Sequence, residues 1–348
     1  MTATIPKINV YQRKSAPKSN PSLAGKVAVI GAFKTTSTTP KVYKDLATAQ
    51  TELGDDDTFN GCKVLPQLFK GADSILAVNV STESSGTWTK TIDTTNLASS
   101  LAKIKNERFD MLFIADTITD TFLPIITAFT AARLLIKLPM GYIGCVQGAN
   151  ASAYTTTAGL VDDYCYGLIT QAFSVDGTSL SLLEAAAYYC AVIASLNVGS
   201  SMTSKQVPGI TALGTEYTYE TSDLGTTLVG LGFTTFKCYD RENSVYEVIN
   251  SEQPNGYDLY INRVRDYVIR EFALHDFLGD RNRSKTHGEI EQEIDRVKSK
   301  CVDALDLLAD IDYTVTKKSP KCVDVSINRL LFDDIITDIN VYFTIEVQ

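Results

Sequence analysis

Over residues 25–232, short runs rich in β-branched residues alternate with longer runs of helical texture, and this alternation restricts the fold more than any other feature of the chain. Strands separated by helices must be joined by crossovers, so they pair in parallel and carry helices on the sheet faces. Residues 26–31 (KVAVIG) form the first predicted strand, followed by helices at 43–53 and 64–69 and a strand at 74–80. A Ser/Thr/Gly-rich loop at 81–91 leads to a helix at 96–106, a strand at 109–115, a helix at 122–137 and a strand at 141–146. A short strand near 166–173, a helix at 179–196 and a loop containing Ser, Gly and Pro at 199–215 complete this half.

Beyond Gly232 the texture changes. Residues 233–240 and 244–250 read as a hairpin around Arg241-Glu-Asn, and two helices follow. In the first, Ile261, Val264, Val268 and Phe272 form an apolar stripe, while Asp266 and Arg270 have the spacing of an i,i+4 ion pair. The second opens at Thr286, with the spacing of a capping box to Glu289, and carries Ile290, Ile294, Val297, Cys301, Leu305 and Leu308 along one face to residue 308. Both helices are expected to lie on a sheet made by strands at 313–316 and 322–327. The expected fold is an α/β domain with a largely parallel sheet (25–232) plus an α+β C-terminal domain (233–348), with extended N- and C-terminal strand arms.

The arms are residues 1–24 and about 335–348. At the C-terminus Ile335, Thr337, Ile339, Val341, Phe343, Ile345 and Val347 alternate with Asp338, Asn340, Tyr342, Thr344, Glu346 and Gln348. A strand of about thirteen residues is twice the usual length, so its end is expected to project beyond its own domain. Neither Pro nor Lys blunts that edge, which points to pairing with a partner strand. Ile5, Ile8 and Val10 lie in an N-terminal stretch able to be that partner. The first 26 residues carry Lys7, Arg13, Lys14, Lys18 and Lys26 and no acid, whereas the last 16 carry Asp333, Asp334, Asp338 and Glu346 and no base. Opposite charge favours a meeting of the two arms, and between chains this gives an open-ended assembly. The alternatives are pairing within one chain and a disordered basic tail.

Signals for chemistry are weak. A formal net charge of −9 argues against a general nucleic-acid binder. Gly31-Ala-Phe-Lys-Thr-Thr follows a strand but fits no phosphate-loop pattern, so Gly31 is read as a tight turn. His275, near a helix end, and His287, in a helix cap, are expected to be structural. No GxSxG elbow occurs, and the seven cysteines include no CxxC pair and read as reduced, buried packing residues. The runs Asp55-Asp56-Asp57, Asp162-Asp163 and Asp333-Asp334 lack the spacing of a calcium loop and read as solvated loop charge. Two basic groups, Arg281/Arg283/Lys285 and Lys317/Lys318/Lys321, read as exposed loops able to touch an acidic partner. No catalytic, cofactor-binding or metal-binding residue is therefore assigned. The apolar stretches at 122–138 and 180–196 contain Arg133, Lys137 and Glu184, which makes them buried helices and not membrane spans. The N-terminal residues lack the apolar core of a signal peptide, predicting no export by a classical signal.

Three segments in order resemble the contractile tail sheath proteins of phages, phage-tail-like bacteriocins and related injection systems. These are residues 25–31 followed by a helix reaching Gly54, residues 67–80 passing from helix to strand, and a helix bearing Asn262-Arg263-Val-Arg-Asp-Tyr267 followed by a second helix and a final alternating strand. The resemblance implies an outer α/β domain, an inner C-terminal domain, and hexameric rings stacked helically around a tail tube, with terminal arms donated to neighbours. It implies the chain itself, the tube protein, and baseplate and tail terminator proteins as partners, no cofactor, no membrane insertion, and a place in a virion tail or phage-tail-like particle assembled in the host cytoplasm. Lys317, Lys318 and Lys321, or the helix at 289–308, are the expected tube-facing groups. Two other classes remain: a cytoplasmic α/β enzyme using the crevice near residues 32–39 and 116–120, and another self-assembling shell or tube subunit.

Overall fold

A computed structural model describes residues 25–136, 138–271, 284–319 and 322–332. The first half runs β1 (Lys26–Gly31), β2 (Lys41–Tyr43), α1 (Leu46–Leu53), α2 (Asn60–Leu68), β3 (Ser74–Asn79), a small hairpin of β4 (Thr82–Ser84) and β5 (Thr87–Thr89), α3 (Thr94–Lys103), β6 (Met111–Thr117), α4 (Leu123–Leu135), β7 (Gly141–Cys145), α5 (Ala151–Ala158) and β8 (Cys165–Ile169). These strands build a six-stranded sheet in the order β2-β3-β1-β6-β7-β8, parallel throughout except for the antiparallel edge strand β2. Crossovers change direction between β1 and β6, as in doubly wound sheets. The parallel strands are buried over almost their whole length, which is why they read as continuous apolar runs without alternation.

The chain continues through β9 (Phe173–Val175), β10 (Thr178–Ser179), α6 (Leu182–Ser195), β11 (Lys205–Gln206), β12 (Ile210–Leu213), α7 (Leu224–Gly230), β13 (Phe236–Asp240) and β14 (Val245–Val248), whose strands form two three-stranded sheets. Phe236, Tyr246, Val248 and Leu259 still belong to the large core around the parallel sheet. A second apolar cluster joins Val198 to α8 (Leu259–Glu271), α9 (Ser284–Ser299) and the antiparallel hairpin β15 (Asp310–Ser319) and β16 (Cys322–Leu331) through Tyr260, Val264, Val268, Val297, Cys301, Leu308 and Ile311.

Local chemistry fixes the helix ends. Asp45 accepts from Thr48 N and starts α1, so Tyr43, expected in the helix, lies in edge strand β2 instead. Reciprocal capping boxes, Asp93 with Asn96 and Ser181 with Glu184, open α3 and α6. Arg133 of α4 is buried. Its Nε donates to Leu138 O (2.9 Å) and its Nη1 to the carbonyls of Ile104, Lys105 and Glu107, gathering the free carbonyls at the end of α3.

Several expectations are corrected. Gly31 is the last residue of β1 and not a turn; a Cβ there would stand 2.9 Å from both Ala115 Cβ and Gly61 Cα, so close packing explains the glycine. Asp162 is not solvated: burial raises its pKa, and its carboxylate accepts from the Thr130 hydroxyl (2.6 Å) and Tyr164 N (3.0 Å). The last long helix stops well before residue 308. After Ser299 it loosens into a π-helical turn, Lys300–Ala304, with Leu305 N donating to Lys300 O, and Asp306 at φ 52° turns the chain towards β15. The segment at 151–158, unassigned in the sequence, is α5, started by Asn150, whose side chain accepts from Ala153 N.

Close packing behind β1 can be tested at Gly61, where a Cβ would meet Ala32 O at 2.5 Å and the Phe33 ring at 2.8 Å. Gly61→Ala is expected to lower stability by about 1–3 kcal/mol, the usual cost of overpacking. An unchanged denaturant midpoint would contradict this packing.

Candidate functional site

Around the carboxyl end of β1, where a doubly wound enzyme would bind its ligand, the protein packs its own groups. Phe33 is fully buried, and Gly61 N donates to Ala32 O (2.8 Å), drawing the start of α2 over the end of β1. Asn79 Oδ1 accepts from Phe33 N and Ser81 N (both 3.0 Å), its Nδ2 donates to Thr35 O (2.5 Å), and the Ser81 hydroxyl donates to Phe33 O. Burial raises the Asp116 pKa, but this carboxylate accepts from Thr117 N (2.8 Å), and Asp120 accepts from the Thr157 hydroxyl (2.7 Å). Asn79 and Ser81 are thereby spent on holding the loop after β1. A cleft of about 460 Å³ lies elsewhere, between residues 229–232 and 252–257, and offers only Glu252 and Tyr257 as titratable groups. Among the described residues no cluster of three or more His, Cys, Asp or Glu side chains is placed to hold a metal ion. Cys62, Cys145, Cys165, Cys190, Cys238 and Cys301 are free thiols, and all of these but Cys238 are buried. No described helix is long and apolar enough to cross a membrane.

Specialised chemistry is found instead at the opposite, amino ends of the strands, where α8 docks. Its apolar side, Val264 and Val268, faces the second cluster, and its polar side is buried against the sheet. At its start Asp258 Oδ1 accepts from Tyr260 N (3.0 Å), while Oδ2 accepts from the hydroxyls of Ser201, Thr203 and Ser251. Asn262 Nδ2 reaches Cys165 O (3.5 Å). Arg263, 2% exposed, donates to Leu196 O and Asn197 O (3.0 Å each) and so places a cation on the carbonyl end of α6, the favourable end of its dipole. Asp266, fully buried, accepts from the Tyr166 hydroxyl (2.7 Å) and from Arg265 Nε (3.0 Å), and Arg265 also donates to Asp163 O (2.7 Å). In the last turn Arg270 pairs with Asp110, just before β6. The i,i+4 pair expected between Asp266 and Arg270 is thus replaced, because each residue is aimed at the sheet and finds its partner there.

Sequence reading missed this seam. It paired Asp266 with Arg270 along the helix, and the available signal was that Asn262, Arg263 and Asp266 share the helix side opposite Val264 and Val268. Asp110 and Tyr166, far away in sequence, carried no signal.

On the other side of α8 lies the hairpin. Lys300 joins Glu271 (2.7 Å), Lys298 joins Asp310 (2.6 Å), and the Tyr313 hydroxyl donates to Asp295 (2.6 Å), so α8, α9 and β15 form a linked stack. Ile311, Tyr313 and Val315 are at least half-buried, whereas Asp312, Thr314 and Thr316 are exposed. Each strand has ten residues, and among the described residues the two pair only with each other, leaving both outer edges unpaired. Lys317 and Lys318 belong to β15, with Lys317 opposite Val323 beside the hairpin turn, and so lie in a strand and not in a loop. Lys321, Ile5, Ile8, Val10, Ile339, Val341, Phe343, Ile345, Val347, His275, Phe272, Arg281 and Arg283 lie outside the described residues.

Asp266 gives the seam a pH signature. Burial raises its pKa above the ordinary 3.8, with Arg265, the Tyr166 hydroxyl and Arg270 working against that rise. The native state therefore holds this proton to higher pH than the unfolded chain, and the residue's contribution to stability falls as pH rises from about 4 through the native value. Asp266→Asn cannot titrate. Its stability relative to the parent is expected to improve as pH rises across that window, measured by urea denaturation at several pH values; a difference independent of pH would contradict the burial of this acid.

No family model matches the sequence, and no curated protein matches it. Solved structures do. The sheath tail protein of Desulfitobacterium hafniense is 14% identical with a TM-score of 0.63, covering 88% of this chain and 93% of that one. The sheath tail protein of Listeria innocua is 12% identical with a TM-score of 0.60, covering 84% and 88%. A chain of the anti-feeding prophage baseplate in its contracted state is 10% identical with a TM-score of 0.56, covering 98% of both chains. In fold, this chain is similar to the sheath tail proteins of contractile systems.

Proposed function

We propose that this chain is a structural subunit of a contractile tail sheath, polymerising as stacked hexameric rings around a tail tube and shortening to drive the tube through a target envelope. The observation that carries the reading is the hairpin β15–β16: a ten-residue, two-stranded sheet with both edges open among the described residues, on a fold similar to sheath tail proteins. Two strands alone make a marginal sheet, and added strands complete it. The terminal arms are the proposed additions, with Ile5, Ile8 and Val10 on one side and Ile339, Val341, Phe343, Ile345 and Val347 on the other. Donated between neighbours, they keep subunits connected while the lattice shortens.

In this reading the α/β unit faces outward and the C-terminal unit faces the tube. Lys317 and Lys318 near the hairpin turn, with Lys321, are proposed tube contacts. Baseplate and tail terminator proteins cap the polymer, which is assembled in the host cytoplasm. No step requires catalysis by this subunit, and the close packing beyond β1 supports a structural role.

The full chain is expected to form rings or helical tubes in negative-stain images. A version lacking residues 341–348 is expected to remain a folded monomer. Compact monomers from both, even with tail tubes added, would remove the polymer reading. Reversal of charge at Lys317, Lys318 and Lys321 is expected to weaken co-sedimentation with tubes; unchanged co-sedimentation would remove those residues from the contact.

A further inference from the structure

Gly25, the first described residue, is buried beside the carboxylates of Asp73 and Asp110. A Cβ on Gly25 would lie 2.1 Å from Asp73 Oδ2, so a larger residue there would have to displace the Asp73 side chain. Its carbonyl accepts from Asp73 N (2.8 Å) and Ser74 N (3.3 Å). Asp110 Oδ2 accepts from Gly25 N (3.3 Å) and Lys26 N (3.4 Å), while Asp110 Oδ1 accepts from Arg270 Nη1. One carboxylate therefore holds both the backbone at Gly25 and Lys26 and the last turn of α8. The pair is about four-fifths buried, so solvent screens it less than a surface ion pair.

We propose that Asp110 is a positioning residue that fixes the direction of the N-terminal arm relative to the C-terminal unit, so that load delivered at Gly25 passes through Asp110 and Arg270 into α8. The proposal rests on the arm-exchange reading above, and it adds the residues through which an arm acts on its own subunit. Arg270 touches neither Gly25 nor Lys26 in this network, yet it orients the carboxylate that does.

Amide hydrogen exchange in the folded monomer tests this coupling. Arg270→Gln is expected to speed exchange at Gly25 and Lys26 about tenfold, by freeing the acceptor of two charge-assisted hydrogen bonds. Arg270→Lys, which keeps the charge, is expected to preserve slow exchange, and Arg270→Gln is expected to add nothing in an Asp110→Asn background. Unchanged exchange at both amides in Arg270→Gln, or independent additive effects of the two substitutions, would overturn the proposal. Both single variants are also expected to fold and to yield fewer tubes than the parent under conditions where the parent assembles. Tubes at parental yield would overturn the load path. Failure of the parent to form tubes would instead count against the sheath reading, and the exchange data would still judge the clamp.

Discussion

The arrangement of this molecule depends on the buried polar side of α8. Placing Arg263 and Asp266 out of water is costly, and the structure offsets that cost by giving each a fixed set of partners: two carbonyls at the end of α6 for Arg263, and the Tyr166 hydroxyl and Arg265 for Asp266. An apolar helix face can slide along its groove with modest loss. A face on which each donor has one acceptor has a single favourable position. The C-terminal helices and hairpin, built on the other side of α8, inherit that position through the Lys300–Glu271 and Lys298–Asp310 pairs.

This seam divides the labour between the two ends of the parallel sheet. At the carboxyl ends Phe33, Asn79 and Ser81 close the crevice that related topologies leave open for ligands. At the amino ends Gly25, Asp110, Cys165, Tyr166 and the end of α6 converge on α8. At this end the sheet carries α8, whose other side bears the hairpin with both edges unpaired among the described residues.

Much of the architecture was legible because it rests on local patterns. The continuous apolar runs of β1, β3 and β6 announced parallel strands, and the change of texture at Gly232 marked the end of the α/β alternation, although the apolar core runs on through Leu259. Details governed by long-range contact were not legible. Gly31 is required by Ala115 and Gly61, Asp162 is bound by Thr130 and Tyr164, and the partner of Arg270 lies 160 positions away at Asp110. The hairpin was foreseen in place but not in length. Strands at 313–316 and 322–327 were visible, whereas their extension to Asp310 and Leu331 depends on pairing across the turn. The candidate site was the least legible, since its charges look like an ordinary solvated helix face until the sheet is placed against them.

Native-state hydrogen exchange along the whole chain tests most directly whether α8 and the sheet are one cooperative unit. The account predicts that the amides of α8 open together with those of β6 and β8, at the same free energy and with the same denaturant dependence. Opening of α8 at a lower free energy, with β6 and β8 still closed, would show that the polar seam does not hold the two units together.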